Sequence, residues 1–242
     1  MQPVIGMIVP PAAGKVPPEA YGLFPEGITF AARGLALREL SLNGYSEVID
    51  RVADLVRDLR EVEGADAVSL MGTSLSFFKG NAFNDELVQV MERSGGIPAT
   101  TMSNAIRDAL RTLGAHRIAV GTAYTDEVNE RLRVYLETAG FEIVSLQGLG
   151  LTEVPDVHAV TQEEVVELGQ RAAESAVISP DAVLVSCGGL IATDLAPQLE
   201  ARIGLPVVAS ATAGVWASVR LLGRDGASPK LGMLAEASRS RG

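Results

Sequence analysis

Two hydrophobic patterns alternate along the chain. Short, nearly continuous apolar runs occur at IGMIVP (5–10), AVSLM (67–71), RIAVGT (117–122), FEIVSL (141–146), AVLVS (182–186) and PVVAS (206–210). Runs of this length, bounded by turn residues, are the pattern of strands buried on both faces. Between them, apolar positions recur at helical spacing. In 45–62, Val48, Val52, Leu55, Val56 and Leu59 form one stripe with charged residues between them. The same reasoning predicts helices over 84–94, 103–113, 126–139, 161–176, 193–203 and 211–222. Strand alternating with helix predicts an α/β fold with parallel sheets covered by helices. From Gly223 onward the chain turns polar and reads as a poorly ordered tail, 223–242.

An internal repeat refines this picture. DAVSLMGTS (66–74) is similar to DAVLVSCGG (181–189), and GIPATTMSNA (96–105) is similar to GLPVVASATA (204–213). IGMIVPP and IAVGTAY (118–124) read as the opening strands of two halves. The expectation is two pseudo-symmetric lobes, 1–113 and 114–222, each a parallel sheet flanked by helices. The last helix of the first lobe can pack across to the second. Ligands of parallel sheets bind at the carboxyl ends of strands, so the site is expected in the cleft between the lobes. Registering Asp66 on Asp181 sets Gly72 against Cys187. One lobe then offers a thiol where the other offers no functional group.

Composition removes several classes of function. The formal net charge of -10 argues against nucleic acid, which needs clustered Lys and Arg. It also gives no general steering of anions, so an anionic substrate must be held by local donors. No apolar run approaches the ~18 residues of a membrane span. The opening MQPVIGMIVPP shows no basic leader region or cleavage site, so no signal peptide is expected. A single cysteine excludes an internal disulfide and fits a reducing cytoplasm. With only two histidines and that one cysteine, a zinc site is not expected.

Cys187 follows a predicted strand and precedes two glycines in SCGGL (186–190). Exposed N–H groups at such a turn favour an anion. They would lower the thiol pKa and make it a proton donor near neutrality. The alternative is a buried small hydrophobe. MGTSLS (71–76) closes the matching strand of the first lobe. Gly72 permits close approach of a ligand, and Thr73 and Ser74 supply hydroxyl and N–H donors for a carboxylate or enediolate. A plain Ser/Thr turn or cap remains open. Tyr124, in GTAYTDEVNERL (121–132), either aims its phenol into the cleft or covers a helix end. VPPAAG (9–14) reads as a rigid, donor-poor apolar wall. His116 and His158 read as surface residues. No P-loop, GxGxxG fingerprint, GxSxG elbow or supported Ser-His-Asp arrangement is present.

Taken in order, IGMIVPPAAG, GYSEVI, SLMGTSLSFFKG, TAYTDEVNERL and SCGGL resemble the arylmalonate decarboxylase family of the aspartate/glutamate racemase superfamily. The likeness spans nearly the whole chain. Racemases of that superfamily usually carry one cysteine per lobe. The decarboxylase pattern has a glycine at the first position, as here with Gly72. The resemblance implies a cofactor-free reaction in which an α-aryl malonate, often α-methylated, loses CO2. The enediolate is then protonated on one face by Cys187, giving a single enantiomer, an R-configured arylpropionate. It implies a dioxyanion hole at Thr73, Ser74, Tyr124 and the Cys187–Gly188 turn. It implies an apolar pocket for the departing carboxylate at Pro10, Leu37, Leu40, Val154 and Val157. Pro11, Tyr45, Gly72 and Gly189 would line the aryl side or the floor. The motif segments bring no Arg or Lys toward a second carboxylate apart from Lys79, beyond the turn.

Other readings stay open on sequence alone. A maleate isomerase, hydantoin racemase or amino-acid racemase would want a second acid/base near position 72 or 73. A non-catalytic small-acid binding protein would keep the cleft without the chemistry. The expected partner in each case is a small acid, dicarboxylic for the decarboxylase, and not nucleic acid or a membrane. The oligomeric state is not legible.

Overall fold

Each half lays its opening strand beside two neighbours. The computed structural model describes residues 2–39 and 41–240. The first half runs β1 (Val4–Val9), α1 (Pro18–Leu23), β2 (Thr29–Gly34), α2 (Leu42–Val48), α3 (Val52–Glu63), β3 (Ala67–Leu70), α4 (Thr73–Phe77), α5 (Asn81–Gly95), β4 (Ala99–Thr101) and α6 (Met102–Thr112). The second runs β5 (Arg117–Thr122), α7 (Asp126–Thr138), β6 (Glu142–Gly148), α8 (Val154–Ala159), α9 (Gln162–Glu174), β7 (Ala182–Ser186), α10 (Leu195–Ile203), β8 (Val207–Ala209), α11 (Ser210–Arg220) and α12 (Met233–Arg239). Among the described residues the strands form two four-stranded parallel sheets, ordered β2-β1-β3-β4 and β6-β5-β7-β8. This is the expected fold class.

The sequence repeat has a counterpart in hydrogen bonds. Asp66 donates its N–H to the Val4 carbonyl at 2.8 Å and accepts the Val4 N–H on Oδ2 at 2.9 Å. Asp181 makes the same pair with Arg117, at 2.7 and 2.8 Å. Two residues on, the Val68 and Val183 N–H groups donate to the carbonyls of Pro98 and Pro206. Each aspartate thus sets the register of one strand against the opening strand of its sheet. The loops that follow β3 and β7 emerge at matching places.

Helices from the two halves pack across one another. α11 lies against α6 and also contacts α1 and β3. Its sequence, SATAGVWASVR, is buried from Ser210 through Val219. A helix apolar or small on every side belongs in a core rather than on a surface.

Three expectations need correction. The segment 45–62 is not one helix: a 3-10 turn at Ile49–Arg51 separates α2 from α3. The sequence reading missed β2, α1 and α8, whose apolar positions are too few to show a period. The residues after Gly223 are not a loose tail. A turn at Pro229–Leu231 leads into α12, and Leu231, Leu234 and Ala235 are buried. Trp216 donates its indole N–H to the Ser238 hydroxyl at 2.9 Å, and Glu200 accepts the Met233 N–H at 3.0 Å. The apolar face of this polar segment has meaning only against the surface of the folded core.

Candidate active site

The carboxyl ends of β1, β3, β5 and β7 open on one cavity of about 540 Å³. That is within the usual range for a small-molecule site. The segments after β1 bring Pro10 and Pro11, those after β3 bring Gly72, Thr73 and Ser74, and those after β7 bring Cys187, Gly188 and Gly189. Tyr124, Leu37, Val154 and Val157 complete the part of the lining expected from sequence. Tyr45 is fully buried behind the wall and is not part of the lining. Leu40 lies outside the described residues.

Cys187 sits at the end of β7 with 8% exposure. Its backbone φ of 153° is costly for a residue with a Cβ. Such a conformation persists where neighbours over-determine it, and it is common at functional turns. The following glycines allow close packing. A Cβ on Gly188 would meet the Met102 thioether at 2.9 Å, and one on Gly189 would meet Val157 at 3.0 Å and the His158 ring at 3.3 Å. The thiol pKa is not lowered as the turn suggested. Burial pushes it up to about 11, although the N–H groups of Gly189 and Leu190 and the nearby Tyr124 phenol pull the other way. Loss of solvent outweighs the backbone donors, so the resting group at neutral pH is a thiol with its proton in place.

The donors opposite are held from beneath. Thr73 and Ser74 begin α4, where main-chain N–H groups have no helical partner. The Thr73 hydroxyl donates to the Met102 sulfur at 3.3 Å, a weak acceptor. The Thr73 carbonyl accepts from Ser76 at 2.9 Å and from Ser103 at 3.1 Å, which ties the turn to α6. Tyr124 packs edge-on against Phe77, and its buried phenol oxygen has no hydrogen-bond partner. Tyr45 stacks edge-on with Phe78, and its phenol is also unpartnered. Burial raises both phenols well above their ordinary range, even with Ser186 and Thr73 near Tyr124 and Ser74 near Tyr45. Each phenol is therefore a neutral O–H. An unpartnered buried hydroxyl is costly unless something fills the space before it.

Sequence reasoning missed part of the mouth. Lys15, Glu19, Val16, His158 and Ile191 line the cavity. His158 is exposed, as expected, but its ring borders Gly189. Lys79 does not line the cavity: its ammonium sits over the rings of Phe78 and Phe83 at 5.1 and 5.2 Å. Lys15 follows directly on the PPAAG turn, a signal that was available in the sequence. Among the described residues, no group of three or more His, Cys, Asp or Glu side chains is placed to hold a metal, and no helix is long and apolar enough to cross a membrane.

The model of the family described as arylmalonate decarboxylase matches residues 5–235. Arylmalonate decarboxylase of Bordetella bronchiseptica is 46% identical over 237 residues, covering 98% of each chain. A liganded double mutant of arylmalonate decarboxylase, in which a glycine is replaced by cysteine and a cysteine by serine, superposes with a TM-score of 0.92 at 45% identity, over 96% of this chain and 98% of that one. Maleate isomerase of Pseudomonas putida is 26% identical over 95% of this chain and 96% of its own. By sequence and by structure, then, the chain belongs to the arylmalonate decarboxylase family.

Proposed function

We infer that this protein is a cytoplasmic, cofactor-independent lyase that decarboxylates α-aryl malonates to arylacetates and α-aryl-α-methyl malonates to single enantiomers of arylpropionates. One observation carries this reading. A protonated thiol lines the cavity from one sheet, while the matching strand end of the other sheet presents Gly72, which can neither give nor take a proton.

The chemistry follows from the two walls. One substrate carboxylate binds the hydroxyls of Thr73, Ser74 and Tyr124 and the N–H groups of the turns at Thr73 and Gly188. The other lies among Pro10, Leu37, Val154 and Val157. The bond between the α-carbon and this second carboxylate breaks, and CO2 departs. The electron pair stays on the α-carbon and spreads into the retained carboxylate as an enediolate. Neutral donors aimed at that growing charge lower the barrier, one such donor being worth about 3 kcal/mol. The apolar wall holds neutral CO2 more readily than an anion, which favours the same direction. The Cys187 S–H proton then moves to the α-carbon and forms the new C–H bond. The thiolate left behind regains a proton from water, and an α-methylated substrate leaves as a product with one new stereocentre.

The test is a cofactor-free incubation with phenylmalonate, maleate and an enantiopure amino acid. The expected result is CO2 from phenylmalonate alone, abolished in a folded Cys187→Ala variant. Fumarate from maleate would make the protein an isomerase, and loss of optical rotation a racemase. No turnover of any of them would leave a small-acid binding protein. Full turnover by Cys187→Ala would reject the thiol as the acid.

A further inference from the structure

The strained turn at Cys187 is gripped from the opposite half of the molecule. Glu19 stands in the first turn of α1, is 3% exposed, and lines the cavity. Its Oε1 accepts the N–H of Ala192 at 3.2 Å, a contact between residues 173 apart in sequence. Within the loop itself, local main-chain bonds run from Leu190 N–H to the Cys187 carbonyl at 3.3 Å and from Leu195 N–H to the Ala192 carbonyl at 3.2 Å. Among the described residues, the hydrogen bond to Glu19 is the one that joins residues 187–194 to the first half. The packing beside it is equally close. A Cβ on Gly22, one turn further along α1, would meet the Thr193 methyl at 2.6 Å. Burial raises the Glu19 carboxyl above its ordinary range, which is the cost of holding an acid in this place.

We propose that Glu19 is a positioning residue for Cys187: by holding Ala192 from α1, it fixes the loop that keeps the thiol turned into the cavity and shielded from water. A residue with φ of 153° relaxes when its surroundings stop determining it. Releasing Ala192 loosens the far end of that loop, and the thiol gains access to solvent. The proposal extends the assignment of Cys187 as the acid, but its test needs no substrate.

Cys187 is the sole cysteine, so alkylation of the full chain by iodoacetamide reports on this one site. Glu19→Ala is expected to speed alkylation about tenfold, the factor that one lost hydrogen bond gives in an opening equilibrium. The pH midpoint of alkylation falls with it, from about 11 toward the ordinary thiol value of 9.0. In Glu19→Gln the amide oxygen still accepts from Ala192, and both rate and midpoint stay near those of the parent. If Glu19→Ala does not fold, Glu19→Met fills the same space without an acceptor and takes its place. An unchanged alkylation profile in a folded Glu19→Ala or Glu19→Met chain overturns the proposal. So does a Gln variant that reacts as fast as the Ala variant, because charge rather than the hydrogen bond would then be at work. Failure to release CO2 from phenylmalonate, with the alkylation pattern intact, would count against the decarboxylase reading alone.

Discussion

Asn129 holds Tyr124 by its main chain. Its Nδ2 donates to the Tyr124 carbonyl at 3.2 Å, and its Oδ1 accepts the Thr122 hydroxyl at 2.6 Å. The same Thr122 oxygen accepts the Tyr124 N–H at 3.2 Å. Three residues thus close a buried ring of hydrogen bonds that fixes the Tyr124 main chain, while the aromatic ring itself packs edge-on against Phe77. Asn129→Ala opens the hydrogen-bonded ring. If Tyr124 supplies an oxyanion donor, kcat for phenylmalonate should fall on the order of 10²-fold, the usual effect of losing one such donor. Circular dichroism should stay that of the parent. Undiminished kcat in the folded variant would remove Tyr124 from the oxyanion site.

Gly72→Cys tests the facing geometry. A Cβ at Gly72 would come within 2.6 Å of Leu75 Cδ1, the free end of a flexible side chain. The substitution should therefore fold, with a loss of about 1–3 kcal/mol from overpacking. A second thiol then stands on the other side of the α-carbon, and the arylpropionate should lose enantiomeric purity. Chiral chromatography reads the outcome. An active variant whose product remains one enantiomer would place residues 72 and 187 on the same face.

The raised thiol pKa makes a signed prediction. The fold favours the neutral form of Cys187, so its contribution to stability is complete below the unfolded value of 9.0 and is lost as pH rises through about 11. Across that window, Cys187→Ala should lose about 2–3 kcal/mol less stability than the parent. Denaturant titration at a series of pH values measures this difference. kcat/KM should likewise show no thiol ionisation near neutrality. A midpoint at or below pH 8 in either measurement would mean that the backbone donors outweigh burial.

The docking of α12 can be tested at one atom. Ser238→Ala takes the acceptor from the indole N–H of Trp216, which is 1% exposed. An unpartnered buried donor of this kind costs about 1–3 kcal/mol. A lower Tm with unchanged substrate turnover is expected. A Tm equal to that of the parent would mean that Trp216 is held by packing alone.

Much was legible in the chain itself. Strands at Arg117–Thr122 and Ala182–Ser186 coincide with continuous apolar runs, because buried parallel strands tolerate few polar positions. The repeat of DAVSLMGTS in DAVLVSCGG marked both site-bearing turns and set Gly72 against Cys187, because equivalent strands carry equivalent loops to the same edge of a sheet. The tertiary structure decided what depends on distant neighbours. The thiol pKa followed burial rather than the local turn, since desolvation is summed over every atom packed around the sulfur. Lys15, Glu19 and His158 reached the cavity mouth, while Lys79 settled on two phenyl rings. The last helix found its place only against Trp216 and Glu200. A single sequence reports its own periodicity; which remote side chains meet at a sulfur atom is fixed when the two sheets close on each other.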